Sequence, residues 1–203
     1  IETGLLNGSA PLNSSASTHA SLSVTGGTTL ANLNVSGGTT VSGITVSSNA
    51  TINGLIRSTG QTVCLVYSQA VQDLANNAWT GVSFEVEEYD VGGMHSTAAN
   101  TSRVTVPTGS SGTYLVLGAV RASVNSSGSF AVRVRKNDTT ALATIPAIPN
   151  CDAGAGLSIF AVANLNAADY VTLEAYQNSG STMSFGSTSD RTVQPQLSAV
   201  RMF

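Results

Sequence analysis

An 11-residue pattern occurs three times between residues 22 and 54, and it limits what the N-terminal part of the chain can fold into. The copies read LSVTGGTTLAN, LNVSGGTTVSG and ITVSSNATING, and a degenerate fourth copy starts at Leu55. Apolar residues stand at the first, third and ninth positions, and a spacing of two is the period of a β-strand. A Gly-Gly pair, replaced by Ser48-Asn49 in the third copy, supplies the turn residues. Each copy is therefore predicted to form a strand, a turn and a second short strand.

The apolar positions of these repeats need a partner, because a few stacked repeats in one thin chain bury almost no core. Three identical chains would bring their apolar rows together on a common axis and leave Ser and Thr in water. A flexible linker is the alternative, but a linker has no reason to keep apolar residues in phase. We predict a trimeric β-shaft over residues 22–60, preceded by an irregular connection or collar over residues 1–21. The predicted core positions of the shaft are Leu22, Val24, Leu30, Leu33, Val35, Val41, Ile44, Val46 and Ile52.

The chain changes character after the repeats. Residues 1–56 contain one charged side chain, Glu2, and the first aromatic residue is Tyr67. Downstream, turn clusters separate short alternating segments, which is typical of an all-β sandwich or jelly roll. We predict an all-β head over residues 63–203, although the stretch SQAVQDLANNAW would also permit one helical turn. The alternating segments are residues 102–107, 113–124, 129–137, 157–165, 169–178 and 196–203.

Composition and charge exclude several classes of protein. The net charge is -3 with 9% charged residues, so bulk charge does not attract nucleic acid. No run approaches the roughly 18 apolar residues of a membrane span, and we expect no membrane insertion. The chain starts at Ile1 with neither an initiator Met nor a basic segment followed by an apolar one, which favours a fragment of a longer or processed chain.

The residues needed for an enzyme are sparse, and we predict that the chain is not one. Only His19 and His95 are available as histidines, and no G-x-S-x-G motif occurs. Cys64 lies among Val and Leu residues and is predicted to be a buried free thiol, whereas Cys151 lies in a loop and could be exposed. Two cysteines do not make a disulfide framework in a chain of this length, and the sequence leaves open whether Cys64 and Cys151 pair.

Carboxylates cluster in the segment SFEVEEYD, residues 83–90. Acid–base chemistry would have to use this cluster, but alternation sends Phe84 and Val86 inward and Glu85 and Glu87 outward. We therefore interpret the cluster as a solvated strand face. The candidate acid–base residues are Glu85, Glu87, Glu88 and Asp90.

Glu88, Asp90 and His95 lie within eight residues, and three chains would triple them around an axis. They follow no calcium-loop motif, and a loop with ordinary hydrogen bonds explains them as well. We expect no metal and no other cofactor, and these three side chains are the only candidate ligands.

Arg133, Arg135 and Lys136 form the densest basic cluster, with both arginines on one face of a predicted strand. This cluster could hold a phosphate or an anionic cell-wall polymer. Pairing with acids on a neighbouring strand or chain is the alternative, and we favour it.

Five stretches of the head resemble one known family. They are NNAWTGVSFEVEEYDVGGMHS, SRVTVPTGSSGTYLV, VRVRKND, LNAADYVTLEAYQNSG and the terminal LSAVRMF, and together they cover essentially all of residues 63–203. They resemble the complement-type, tumour-necrosis-factor-like jelly roll that caps many bacteriophage fibres. The neutral repeat before the head is similar to phage fibre shafts and unlike a collagen stalk. The resemblance implies a homotrimer of ten-stranded jelly rolls that serves virion structure or host recognition.

These observations lead to one expected function and two alternatives. We expect a homotrimeric virion fibre on the tail or capsid surface, which projects its head towards a host-surface glycan or protein and joins other virion proteins through its N-terminal end. A capsid head fibre or decoration protein with a mainly structural role is the first alternative. A secreted bacterial adhesin is the second. The segment before Ile1 distinguishes them: an anchoring domain indicates a virion protein, and a signal peptide indicates secretion.

Overall fold

The computed structural model describes residues 61–123, 127–149, 156–190, 192 and 194–202. The predicted collar, the predicted shaft with its nine core positions, and Cys151 lie outside the described residues. The described part contains β-strands and no helix, and therefore no helix long and apolar enough to cross a membrane.

The described part contains twelve β-strands, of three to ten residues each. They are β1 (Val63–Tyr67), β2 (Gln72–Leu74), β3 (Ala78–Gly81), β4 (Val86–Val91), β5 (Arg103–Thr105), β6 (Gly112–Arg121), β7 (Ser129–Lys136), β8 (Thr140–Pro149), β9 (Gly156–Leu165), β10 (Tyr170–Gln177), β11 (Met183–Phe185) and β12 (Gln196–Arg201).

Two antiparallel sheets form a sandwich. The five-stranded sheet has the order β4-β1-β12-β6-β9, and the four-stranded sheet has the order β5-β10-β7-β8. Strands β2 and β11 form a separate pair. The chain crosses between the two large sheets after β4, β5, β6, β8, β9 and β10, which is the winding of a jelly roll. The predicted all-β head is confirmed.

The core lies between the two sheets, where every second residue of each strand points inward. On β6, Tyr114, Val116 and Val120 are buried, and Leu173 on β10 faces them from the other sheet. The largest fully buried side chains are Tyr114, Phe84, Phe130, Phe185, Leu74, Met94, Leu165, Leu173 and Leu197, along with Gln177 and two valines. Apolar contact between the two sheets is therefore the main interaction that holds the head together.

All six segments predicted from alternation contain strands: β5, β6, β7, β9, β10 and β12. The helical turn considered at residues 68–79 is absent, because β2 and the start of β3 occupy that stretch. Gln72 uses its side-chain amide to bond both the N–H and the C=O of Ser83, at 2.9 and 2.7 Å. Asn77 has a φ of 58°, a left-handed conformation that ends any helix.

The prediction for Cys64 is confirmed. Its thiol is free and fully buried on β1, between β4 and β12. Burial first, and then the negative charges of Asp90 and Glu87, raise the pKa of this thiol to about 12. A thiol with so high a pKa is protonated at neutral pH and is a poor nucleophile.

At Gly118 on β6, the two sheets pack so closely that there is no room for a side chain. A Cβ added there would lie 2.7 Å from Leu173 Cδ1 and 3.3 Å from Ile159 Cγ2. We expect Gly118→Ala to lower the free energy of unfolding by about 1–3 kcal/mol, because the added methyl overpacks the core. Gly81→Ala is the control, since a Cβ at Gly81 meets nothing within 4 Å. Denaturant unfolding of both variants at one protein concentration tests this, and equal stability would contradict it.

Candidate oligomer interface

On the outer face of the four-stranded sheet, β7 and β10 pair their charged side chains within the chain. Glu174 on β10 lies between two arginines of β7: its carboxylate is 2.5 Å from Arg133 Nε and 3.0 Å from Arg135 Nη1. The Arg133 guanidinium also lies 4.1 Å from the ring centroid of Trp79, and that ring contacts Tyr176. The prediction that the basic cluster pairs with an acid on a neighbouring strand is confirmed.

The third member of the basic cluster, Lys136, pairs with Asp169 in the turn between β9 and β10. Lys136 Nζ lies 2.6 Å from Asp169 Oδ2, and the side-chain amide of Asn137 donates to Oδ1 at 2.7 Å. The backbone N–H of Asn166 also donates to this carboxylate. The hydrogen bonds from Lys136, Asn137 and Asn166, in that order, lower the pKa of Asp169 to about 2.

The outer face of the five-stranded sheet is apolar, in contrast to the four-stranded one. Cross-strand pairing aligns two rows over all five strands. In the order β4, β1, β12, β6 and β9, the first row is Val91, Val63, Val200, Leu115 and Val162, and the second is Tyr89, Leu65, Ser198, Leu117 and Phe160. We call these ten residues the apolar face. Nine of the ten are apolar or aromatic, on a face where an antiparallel sheet next to water normally carries polar residues.

Several side chains of the apolar face are open to solvent. Phe160 is 71% exposed and Val162 is 59% exposed, both on the edge strand β9, and Val91, Tyr89 and Leu117 are also exposed. Isolated exposed apolar residues are common, but a contiguous patch of this kind marks a protein–protein or ligand contact.

A groove of about 350 Å³ opens on this side of the sheet. Its wall is largely apolar, and small side chains make room for it. The outward-facing residues that line it are Leu65, Leu117, Ala119, Ser158, Gln196 and Ser198. The face therefore has exposed side chains that project and a groove beside them. A complementary surface could accept the projecting side chains and fill the groove.

The candidate metal ligands lie in and after β4. The Asp90 carboxylate accepts hydrogen bonds from the backbone N–H groups of Met94 and His95, at 2.8 and 3.0 Å. The two ring nitrogens of His95 lie 3.1 Å from Glu87 Oε1 and 3.1 Å from the carbonyl oxygen of Thr101. In the described ranges, no three His, Cys, Asp or Glu side chains come close enough to hold an ion. The structure thus links Asp90 and His95 through the backbone, and Glu88 is exposed on β4.

The remaining carboxylates of this segment are exposed as predicted, but the predicted alternation is wrong at Val86, which is only half-buried and pairs with Tyr67 on β1. Phe84 is fully buried, whereas Glu85 and Glu87 are exposed. Glu85 accepts hydrogen bonds from the hydroxyl of Ser68, at 2.9 and 3.1 Å, and from the backbone N–H of Gln69. Its carboxylate therefore fixes the chain between β1 and β2.

Comparisons with known proteins bear on the fold. No protein-family model and no curated protein sequence matches this chain. Among solved structures, murine APRIL at pH 5.0 matches with a TM-score of 0.50 and 15% identity, over 70% of this chain and 99% of that one. This chain has a tumour-necrosis-factor-like jelly-roll fold. The PRD1 vertex protein P5 matches with a TM-score of 0.50 and 16% identity, over 70% of this chain and 73% of that one. The globular domain of zebrafish complement 1qA protein matches with a TM-score of 0.49 and 13% identity, over 70% of this chain and 98% of that domain.

The apolar face has a signal in the sequence that alternation within single strands does not reveal. Strands β1, β6 and β9 read VCLVY, GTYLVLGAVR and GLSIFAVANL, and each carries apolar residues at both alternating sets of positions. Such runs are typical of strands that are covered on both faces. Alternation predicts that a strand forms, but it does not show which strands are neighbours. The apolar residues at the outward-facing positions therefore do not by themselves reveal an interface.

We expect the Lys136–Asp169 contact to make stability depend on pH in the acid range. The folded-state pKa of about 2 lies below the ordinary value of an aspartate, so this contribution is complete above about pH 4. It is lost as the pH falls towards 2, because the carboxylate must then take up a proton. Asp169→Asn should remove part of the stability difference between pH 5 and pH 2.5, measured by denaturant unfolding. Asp73→Asn, at an exposed position on β2, is the control; identical pH profiles for wild type and Asp169→Asn would contradict the assignment.

Proposed function

We propose that the head assembles as a homotrimer in which the apolar face is buried between copies. The single observation that carries this proposal is the pair of cross-strand rows, which leaves Phe160 and Val162 open to water in one chain. Identical chains are the natural occupants, because the predicted shaft also requires partners that run in parallel with it. A common threefold axis through shaft and head would let each fix the register of the other.

We further propose that this trimer is a bacteriophage virion fibre whose head attaches to the host surface. The neutral repeat favours a spacer whose cohesion does not depend on ion pairs. The fold shared with the phage PRD1 vertex protein P5 supports a virion setting. That protein is named for a vertex, so a capsid head fibre with a mainly structural role is the second candidate. Neither role calls for catalysis, and we propose none.

We expect Val162→Asp to prevent assembly of the head. The charge would lie in the middle of the proposed interface, where it could not be buried without a large desolvation cost. Val71→Asp is a matched control, since Val71 is 56% exposed, Val162 is 59% exposed, and Val71 lies outside the apolar face. Sedimentation velocity should show trimers for wild type and Val71→Asp and smaller species for Val162→Asp. If all three proteins sediment alike, this face is not the interface.

Virion attachment and host binding are separable by experiment. Immunoblotting of purified virions and of the bacterial surface distinguishes a virion protein from an adhesin. If the head attaches to the host, the purified protein should compete with virions and slow their adsorption to host cells. Unchanged adsorption at saturating protein would contradict the attachment role and favour the structural one.

A further inference from the structure

The loop over residues 92–102, between β4 and β5, borders an open pocket of about 220 Å³ against β5. The loop is held at several points. The carboxylate of Asp90 accepts hydrogen bonds from the N–H groups of Met94 and His95 near the start of the loop. The ring of His95 lies within hydrogen-bond distance of the carbonyl oxygen of Thr101, and the N–H of Thr105 donates to the carbonyl of Met94 at 2.7 Å. The pocket is therefore formed before any ligand arrives, which lowers the entropic cost of binding.

Arg103 provides the charge in this pocket. Its guanidinium carbon lies 4.7 Å from the ring centroid of Tyr170, and its buried Nε has no hydrogen-bond acceptor in the described structure. Among the described residues, no carboxylate forms an ion pair with it, in contrast to Arg133 and Arg135, which share Glu174. A buried, unsatisfied donor on a charged group is uncommon in folded proteins and requires an explanation.

The nearby acids are occupied elsewhere. Asp138 accepts hydrogen bonds from the hydroxyl of Tyr170 at 2.9 Å and from that of Thr172 at 3.2 Å. The carboxylate of Glu87 lies 3.1 Å from His95 Nδ1, so it contacts the histidine ring and not Arg103. Arg103 thus contacts Tyr170, but no carboxylate of the described residues balances its positive charge.

The rest of the pocket lining suits an anion with several oxygen atoms. Beside Arg103, the polar residues Ser96, Asn100 and Thr105 line the pocket, and the fully buried His95 forms part of its base. A guanidinium offers donors in a planar fork that matches carboxylate and phosphate oxygens. The volume is below the roughly 300–1,000 Å³ of sites that enclose a whole small molecule, so the pocket fits a headgroup.

We propose that this pocket binds an oxyanion, a carboxylate or phosphate presented at the end of a larger ligand. An acidic saccharide and a glycerol-phosphate polymer both carry this chemistry on bacterial surfaces. The proposal goes beyond the proposed assembly, and only its biological meaning rests on the attachment role. Each head would contribute one weak site, and several heads on one particle would raise the overall avidity.

The test is saturation-transfer NMR on the full chain with small probes. Glucuronate represents the acidic saccharide and glycerol 3-phosphate represents the phosphate polymer, and glucose and glycerol are their neutral counterparts. We expect transfer to at least one anion, with a dissociation constant on the order of 1 mM, and no transfer to the neutral compounds. The anion that binds identifies the source. Binding of neither anion, or equal binding of anion and neutral compound, would overturn the proposal.

Variants tie the signal to the pocket. Arg103→Gln should weaken anion binding at least about tenfold, because the charge is lost. Arg135→Gln should leave it unchanged, since Arg135 does not line the pocket and is paired with Glu174. Ala99→Trp, on the exposed loop, should block the pocket without altering Arg103 and serves if Arg103→Gln does not fold. Undiminished binding in a folded Arg103→Gln or Ala99→Trp protein would contradict the assignment. Because binding is read directly, this outcome is independent of whether the chain forms trimers.

Discussion

The five-stranded sheet must be kept from water on both of its faces, and the rest of the account depends on this constraint. Its inner face meets the four-stranded sheet in an ordinary core. Its outer face carries two apolar rows, one of them uninterrupted across five strands. Each 100 Å² of apolar surface removed from water contributes about 2.5 kcal/mol, so leaving such a face exposed forgoes a large stabilisation. The proposed assembly would cover this face.

The two outer faces of the sandwich differ in polarity: one is apolar, and the other carries charged side chains. On β7 and β10 of the four-stranded sheet, Glu174 pairs with two arginines and Trp79 covers one of them, so these strands make their polar contacts within one chain. The proposed interface therefore involves one face only, and the opposite face and the loops remain available for contacts outside the assembly. The Arg103 pocket lies at the β4/β5 edge of the sandwich, where the connection between the sheets leaves a charged side chain without a carboxylate partner.

Much of the head could be predicted from sequence, because alternation is a local signal. It identified the strands that carry most of the core, and the spacing around Phe84 placed the neighbouring glutamates correctly outside. Strands β2 and β11 have only three residues each, too few for a period to show. Strand β8 contains Pro146, which argues against a strand unless the strand lies at an edge, as β8 does.

The sites depend on contacts that alternation does not record. The apolar face requires knowing which strands are neighbours, and the order β4-β1-β12-β6-β9 brings together residues from both ends of the head. The guanidinium of Arg103 packs on Tyr170, which is distant in sequence and reaches Arg103 because β10 pairs with β5. Conversely, pairing of Arg133 with an acid on a neighbouring strand could be predicted, because side chains of opposite charge on adjacent strands stabilise each other. The strand register places Glu174 opposite Arg133.

The measurement that tests the central claim most directly is the solution mass of the 203-residue chain by light scattering at low micromolar concentration. The account predicts a single species of three times the 20.5 kDa chain mass. A stable monomer of 20.5 kDa would mean that the apolar face tolerates water, and it would contradict the proposed trimer.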